Sequence, residues 1–285
     1  MVCQSVKAWN GIQAGLRTVL NIKAVIIRFQ CGTMRLSPRP GRESHSMKLE
    51  GKCAVVTGST KGIGLSIAEA LLEQGTHVVV SSRHKADVIE TVSNLSARGS
   101  GSVAGLACDV QDPADFHALV SFCVEKFGGL DILINNAGIG RFKTVEELSL
   151  EEWRQTIATN LDSLYYGCNR AIPEMKKRGG GFIINIGSLA GKNAFPKGAA
   201  YNASKFGLIG FSEALMQEVR HDDIQVAYVM PGSVDTWFGD SPPEGDESWK
   251  VAASDIAQIV VETLSRSSRC LTSRIEVRTP KPPRK

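Results

Sequence analysis

Between residues 53 and 277, short apolar runs rich in β-branched side chains alternate with longer segments whose apolar positions recur every three or four residues. The short runs predict strands at 54–57, 77–81, 103–108, 132–135, 182–186, 225–230 and 274–277. The longer segments predict helices at 63–74, 86–98, from Asp112-Pro113 onward, 150–178, 199–220 and 254–264. Gly75 closes the first helix, and Pro113 opens the third just after an acid near the cap. The strands are apolar at nearly every position rather than at every second one, which implies a parallel sheet covered on both sides. Right-handed crossovers then give an α/β fold, a single-domain Rossmann-like doubly wound parallel sheet of about seven strands with helices on both faces.

Composition narrows the function classes. The chain of 285 residues is 42% hydrophobic and 22% charged, ordinary for a globular protein. No apolar run approaches the ~18 residues of a membrane span, so no membrane partner is expected. The net charge of +4 comes from 33 basic and 29 acidic residues, and it is unevenly spread. Residues 1–46 hold seven of the basic residues and one acid, Glu43, which leaves 26 against 28, or −2, for the rest. The body therefore has no basic surplus with which to bind nucleic acid. Residues 1–46 are read as an N-terminal extension, disordered or lying upstream of a start at Met47, with an Arg-rich organellar transit peptide as the second reading. Residues 47–285 are then one folded domain, expected to carry whatever binding and catalysis the chain performs. Seven scattered cysteines form no CxxC pair and no Cys/His spacing suited to zinc, so no metal is expected. They read as small buried hydrophobes in a reducing compartment, and the protein as cytoplasmic.

Chemistry concentrates at strand ends. Gly58, Ser59, Thr60, Lys61, Gly62, Ile63 and Gly64 lie between the first strand and the first helix. Gly58 permits a tight turn, Gly62 lets backbone approach a pyrophosphate, and Gly64 permits close helix–strand packing. The helix N-terminus offers unpaired N–H groups to phosphates. After the second strand the chain reads Ser82-Arg83-His84-Lys85, with no acid before Asp87. An acid there would suit the ribose of NAD; Arg83, with Lys61 nearby, suits a 2′-phosphate instead. NADP(H) is therefore expected in preference to NAD(H).

Tyr201 and Lys205 are four apart in a helix and share one face. A phenol of pKa ~10 next to an ammonium is a candidate general acid or base, the ammonium favouring the phenolate. Ser188 follows the fifth strand, at the sheet end where ligands of such folds bind, and its hydroxyl can hold a substrate oxygen beside Tyr201. As a hydrolase nucleophile it lacks the G-x-S-x-G elbow and a nearby histidine.

Together these residues resemble the short-chain dehydrogenase/reductase family, in the branch marked by TGxxxGxG and YxxxK. Asn135-Asn136-Ala137-Gly138 resembles its NNAG motif, Asp109-Val110 its adenine-contacting pair, and Asn160 the helix asparagine of its catalytic tetrad. Pro231-Gly232-Ser233-Val234-Asp235-Thr236 resembles its nicotinamide-contacting segment, and the likeness runs over residues 49–277. The resemblance implies that Tyr201 donates or accepts the proton and that Lys205 lowers its pKa and bonds the nicotinamide ribose. It implies that Ser188 orients the substrate oxygen and that Asn160 holds a water linking Lys205 to solvent. It adds Asn136, Ala137, Gly138, Pro231, Gly232, Val234 and Thr236 to the cofactor contacts. The expected activity is hydride transfer between NADPH and a small-molecule ketone, aldehyde or secondary alcohol, with 3-oxoacyl and steroid substrates included, by a homodimer or homotetramer. A non-catalytic NADP-binding sensor or scaffold is the alternative. Phe142, Phe195, Trp237 and Phe238 suggest an apolar wall beside the pocket.

Overall fold

Successive strand residues feed opposite cores. Ala54, Val56, Val78, Val80, Ile132, Ile134 and Ile184 pack on one side, while Val55, Val79, Leu133 and Ile183 pack on the other. This two-residue period with both faces apolar is what a doubly covered sheet requires. The computed structural model describes residues 48–236, 238, 248–267 and 269–283, so the expectations for residues 1–46 and for Trp237 lie outside the described residues.

Seven strands are formed: β1 (Cys53–Val56), β2 (His77–Ser82), β3 (Val103–Ala107), β4 (Ile132–Asn135), β5 (Gly181–Ile186), β6 (Ile224–Pro231) and β7 (Arg274–Val277). They make one sheet in the order β3-β2-β1-β4-β5-β6-β7, with every pairing parallel. The helices are α1 (Gly62–Glu73), α2 (Lys85–Leu95), α3 (Pro113–Phe127), α4 (Leu150–Ile157), α5 (Ser163–Lys177), α6 (Ala199–Val219) and α7 (Ala253–Leu264). Helices α1 and α7 cover one face of the sheet, and α3, α5 and α6 contribute to the core on the other. The order reverses between β1 and β4, so a crevice opens beyond the carboxyl ends of those strands.

Helix ends follow local chemistry. Asp112 caps α3 by accepting from the Ala114 N–H at 2.8 Å, and Gly128 ends it with φ +83°. Ser149 and Glu152 form a reciprocal capping box at the start of α4. One expectation needs correcting: the helix predicted over 150–178 is not continuous. A π-helical turn, Ala158–Asp162, separates α4 from α5. Such turns insert a residue and turn the side chains that follow, and they are frequent at functional sites. Here the turn carries Asn160.

Four of the cysteines, Cys53, Cys108, Cys123 and Cys168, are buried as free thiols, while Cys270 is exposed. Among the described residues, no helix is long and apolar enough to cross a membrane.

Candidate active site

The crevice is assembled around Thr57 and the glycine turn. Gly58 and Gly62 take φ +61° and +56°, conformations that a side chain resists. At Gly58 a Cβ would sit 3.0 Å from the Ala137 Cα; at Gly62 it would point at Thr236, 3.3 Å from its Cγ2. Gly64 is the tightest of the three, since a Cβ there would fall 2.3 Å from the Gly58 carbonyl oxygen. Ser59 holds the turn from beneath: its hydroxyl donates to the Val56 carbonyl at 2.7 Å and accepts from the Ser81 N–H at 2.9 Å. The N-terminus of α1 has no side-chain cap and no acid in its first turn. Its N–H groups are therefore available to an anion.

Asn136 and Ala137 anchor this turn to β4. Both of their backbone N–H groups donate to the Thr57 hydroxyl, at 3.0 and 3.1 Å. The Asn136 side chain donates to the Thr57 and Gly58 carbonyls at 2.9 and 3.0 Å. Its amide protons thus shape the cradle rather than reach into it. Thr57 is a site-building residue that sequence reasoning passed over, although it stands inside the glycine motif.

The outer rim holds the remaining cofactor candidates. Arg83 and Lys61 are exposed, Thr60 and Ile63 half-buried. Ser82 is turned to local bonding with the His84 backbone, at 3.3 Å. Asp109 accepts from the Gln111 N–H at 3.1 Å, and Val110 is buried in the core beneath α3 rather than presented to the rim. On the far side, Pro231 ends β6 and the Gly232 N–H donates to the Val277 carbonyl at 2.8 Å. Val234 bridges to Val251, and Thr236 closes back over Gly62. Gly138 lies between the two halves: a Cβ on it would be 3.4 Å from Asn160 Oδ1 and 3.8 Å from Lys205 Nζ. A cavity of about 380 Å³ between α1 and α2 shares only Thr60 with these residues and none with the reacting groups, so it is not the reaction site.

Helix α6 presents Tyr201, Ser204, Lys205 and Leu208 on its buried side. The Tyr201 phenol lies beside the Ser188 hydroxyl, which favours its ionised form. Ser188 Oγ also accepts the Ala190 N–H at 3.1 Å, which fixes the oxygen and leaves its proton free to donate. The Lys205 ammonium donates to the Ile186 carbonyl at 2.9 Å and lies 5.8 Å from the centre of the Tyr201 ring. Burial pushes the Lys205 amine down to about 8. Burial likewise raises the Tyr201 phenol above its ordinary value, and the neighbouring Ser188 hydroxyl only partly offsets this. The expected depression of the phenol by the ammonium is therefore not what these side chains produce. Desolvation penalises both charged forms and wins.

Asn160 clamps the loop after β4. Its Oδ1 accepts the Ile139 N–H at 2.8 Å, and its Nδ2 donates to the Ile139 carbonyl at 2.8 Å and to Ser204 Oγ at 3.0 Å. Both amide protons are committed, so the side chain acts here as a brace between that loop and α6. Asn202, also overlooked in the sequence, donates to the Ala190 carbonyl at 2.6 Å and ties the loop after Ser188 to α6. The signal for Asn202 and Ser204 was their position between Tyr201 and Lys205, on the half of the helix turned toward the sheet.

Comparison with known proteins agrees with this arrangement. The family model described as short chain dehydrogenase matches residues 52–245. The chain is 39% identical over 184 residues to a D-beta-hydroxybutyrate dehydrogenase of Rhizobium meliloti, covering 64% of this chain and 71% of the relative. It is 35% identical over 228 residues to dehydrogenase/reductase SDR family member 4 of Caenorhabditis elegans, covering 80% and 88%. The crystal structure of a metagenomic short-chain oxidoreductase in complex with NADP superposes with a TM-score of 0.72 at 32% identity, covering 83% of this chain and all of that one.

Proposed function

Because the chain belongs to the short-chain dehydrogenase/reductase family and is an oxidoreductase acting on CH–OH or C=O groups, we propose that it is an NADP(H)-dependent reductase of ketones or aldehydes in which Tyr201 is the general acid. The observation that carries this reading is the phenol of Tyr201, buried, set beside the Ser188 hydroxyl and flanked on its own helix by the Lys205 ammonium.

The residues fit a dinucleotide. Gly58 and Gly62 leave room where a Cβ would intrude, and the bare N-terminus of α1 suits a pyrophosphate. Arg83 and Lys61 are exposed cations on the rim, and no acid stands between Val80 and Lys85. A relative of known structure is described in complex with NADP, which supports the same cofactor here. When bound, NADPH supplies the hydride.

The chain's own groups then handle position and the proton. The Tyr201 and Ser188 hydroxyls converge on one carbonyl oxygen and polarise it. As negative charge grows on that oxygen, Tyr201 gives up its proton, and the neighbouring ammonium of Lys205 stabilises the phenolate that forms. At neutral pH the phenol carries its proton and can donate it to a carbonyl oxygen as hydride arrives. Asn160 keeps the loop after β4 seated against α6, so the gap between Gly138 and Lys205 keeps its width. The exposed Trp153, Tyr165 and Phe206 on α4, α5 and α6 support assembly as a homodimer or homotetramer.

The test is Tyr201→Phe. It removes one oxygen, keeps the ring packing, and should lower kcat by about 10²–10⁴-fold with NADPH affinity preserved. Turnover within a factor of a few of the parent would overturn the assignment. The cofactor preference is checked separately: Arg83→Asp should move the NADPH/NADH ratio of kcat/KM toward NADH by about tenfold or more.

A further inference from the structure

Two phenylalanines from different parts of the chain flank the Tyr201 ring, and a third packs against one of them. Phe142 follows β4, Phe195 lies in the loop before α6, and Phe238 lies beyond Thr236. The Phe142 ring meets the Tyr201 ring edge-on at 5.6 Å between centres and sits 5.8 Å from Phe195 and 6.5 Å from Phe238. Phe238 is itself 5.6 Å from Tyr201. Every one of these spacings is within the range of attractive tilted aromatic pairs. Gly140 makes the convergence possible, since a Cβ there would come within 2.7 Å of both the Phe142 and Phe238 rings.

These rings are unusual in their exposure. Tyr201 is 9% accessible, yet Phe142, Phe195 and Phe238 remain 43%, 42% and 44% accessible. A single exposed phenylalanine needs no explanation; three packed in a row beside one buried tyrosine make an apolar patch at the mouth of a polar site. Such rings offer no donor or acceptor to a hydroxyl or a carboxylate, and either group would lose water against them without a replacement. Of the cations near these rings in the chain, Lys143 is paired with Glu152 at 2.6 Å, Lys192 with Glu276 at 2.8 Å and Arg141 has a partner, while Lys197 stands exposed to water.

We propose that Phe142, Phe195 and Phe238 are the specificity-determining wall of the site and that they select carbonyl substrates carrying an aryl group over small keto acids and short aliphatic ketones. The aryl ring lies against the exposed ring faces, and the carbonyl oxygen reaches Tyr201 and Ser188. The proposal rests on the reading of Tyr201 as proton donor and adds the substrate class.

Three ketones separate the two. 4-Phenyl-2-butanone, 2-butanone and acetoacetate present a methyl ketone beside, respectively, an aryl group, nothing further, and a carboxylate. Each is assayed with the purified full chain and with both NADPH and NADH. The expected result is a kcat/KM for 4-phenyl-2-butanone at least about tenfold above the other two. Phe142→Ala and Phe195→Ala should each shrink that preference severalfold through KM, and Phe195→Leu, which keeps bulk but not the ring, should fall between. Cofactor binding measured on each variant shows that the fold is intact. A preference near one, a preference for acetoacetate, or a preference untouched by the alanine substitutions overturns the aryl wall while leaving the oxidoreductase reading in place. No oxidation of either cofactor by any of the three overturns both.

Discussion

The two ends of the central sheet each bury a charged side chain, and they treat it in opposite ways. At the amino end Asp131, just before β4, is almost fully enclosed. Its carboxylate accepts the Cys53 N–H at 2.9 Å, Lys52 at 3.2 Å and two Arg178 nitrogens at 3.1–3.3 Å. Burial pushes that carboxyl up, but the Cys53 N–H, Arg178 and Lys52 together outweigh it and hold it below its ordinary value. At the carboxyl end Lys205 is as deeply buried, yet among the described residues it has a single neutral hydrogen-bond partner, the Ile186 carbonyl, and burial drags it down to about 8. The fold completes the shell of the first charge and leaves the second poised. A charge satisfied within the chain holds strands and helix together; a charge left short of partners is costly until something in the crevice interacts with it.

The sharpest way to break this contrast is Lys205→Met. Loss of the ammonium should lower kcat/KM by about 100-fold, while stability at neutral pH should rise by about 1 kcal/mol. The gap between 10.5 and about 8 corresponds to a penalty of about 3 kcal/mol for the buried charge, partly offset by the Ile186 carbonyl left without its donor. Urea unfolding of the two proteins decides it, and a variant less stable than the parent would show that Lys205 serves the fold.

Asp131→Ala should do the reverse. It strands the Cys53 N–H and unpairs Lys52 and Arg178, both of which can turn to water. A stability loss of about 2–3 kcal/mol follows, a fall in Tm of about 5–10 °C for a domain of this size. Turnover per folded molecule should be unchanged, as an assay below the new Tm would show.

The smallest effects are in pH. The penalty at Lys205 is fully present below about 8 and relieved as pH rises from there toward 10.5, because the unfolded chain then binds more protons. The stability advantage of Lys205→Met should therefore shrink across that window, and the reductive kcat/KM of the parent should decline above about 8. Asp131 acts in acid: its contribution is complete above the ordinary aspartate value of about 3.9 and is lost as pH falls through the depressed folded value. A stability profile flat below pH 4 once other carboxylates are allowed for would argue against Asp131 as the tie between Cys53, Lys52 and Arg178.

Much of this was legible in the chain because strands buried on both faces and glycines at strand exits leave local marks. The seven strands fall within a residue or so of their apolar runs, and Tyr201 and Lys205 meet because four residues make about one helical turn. The π-helical turn at Ala158–Asp162 left no such mark, since helical periodicity on either side looks continuous. Thr57 and Asn202 were hidden for a different reason. Their hydrogen bonds join segments far apart in sequence, Thr57 to the loop after β4 and Asn202 to the loop after β5.

The sequence by itself determined the element order, the parallel sheet, the glycine cradle and which side chains could carry a proton, because each follows from periodicity or from spacing within one element. Tertiary structure alone decided the sign of the shift at Tyr201, the bracing role of Asn160 and the packing of Phe142 and Phe238 directly against the Tyr201 ring. Those depend on how much water is excluded and on which loops meet at a sheet end, quantities that exist only once distant segments have packed together.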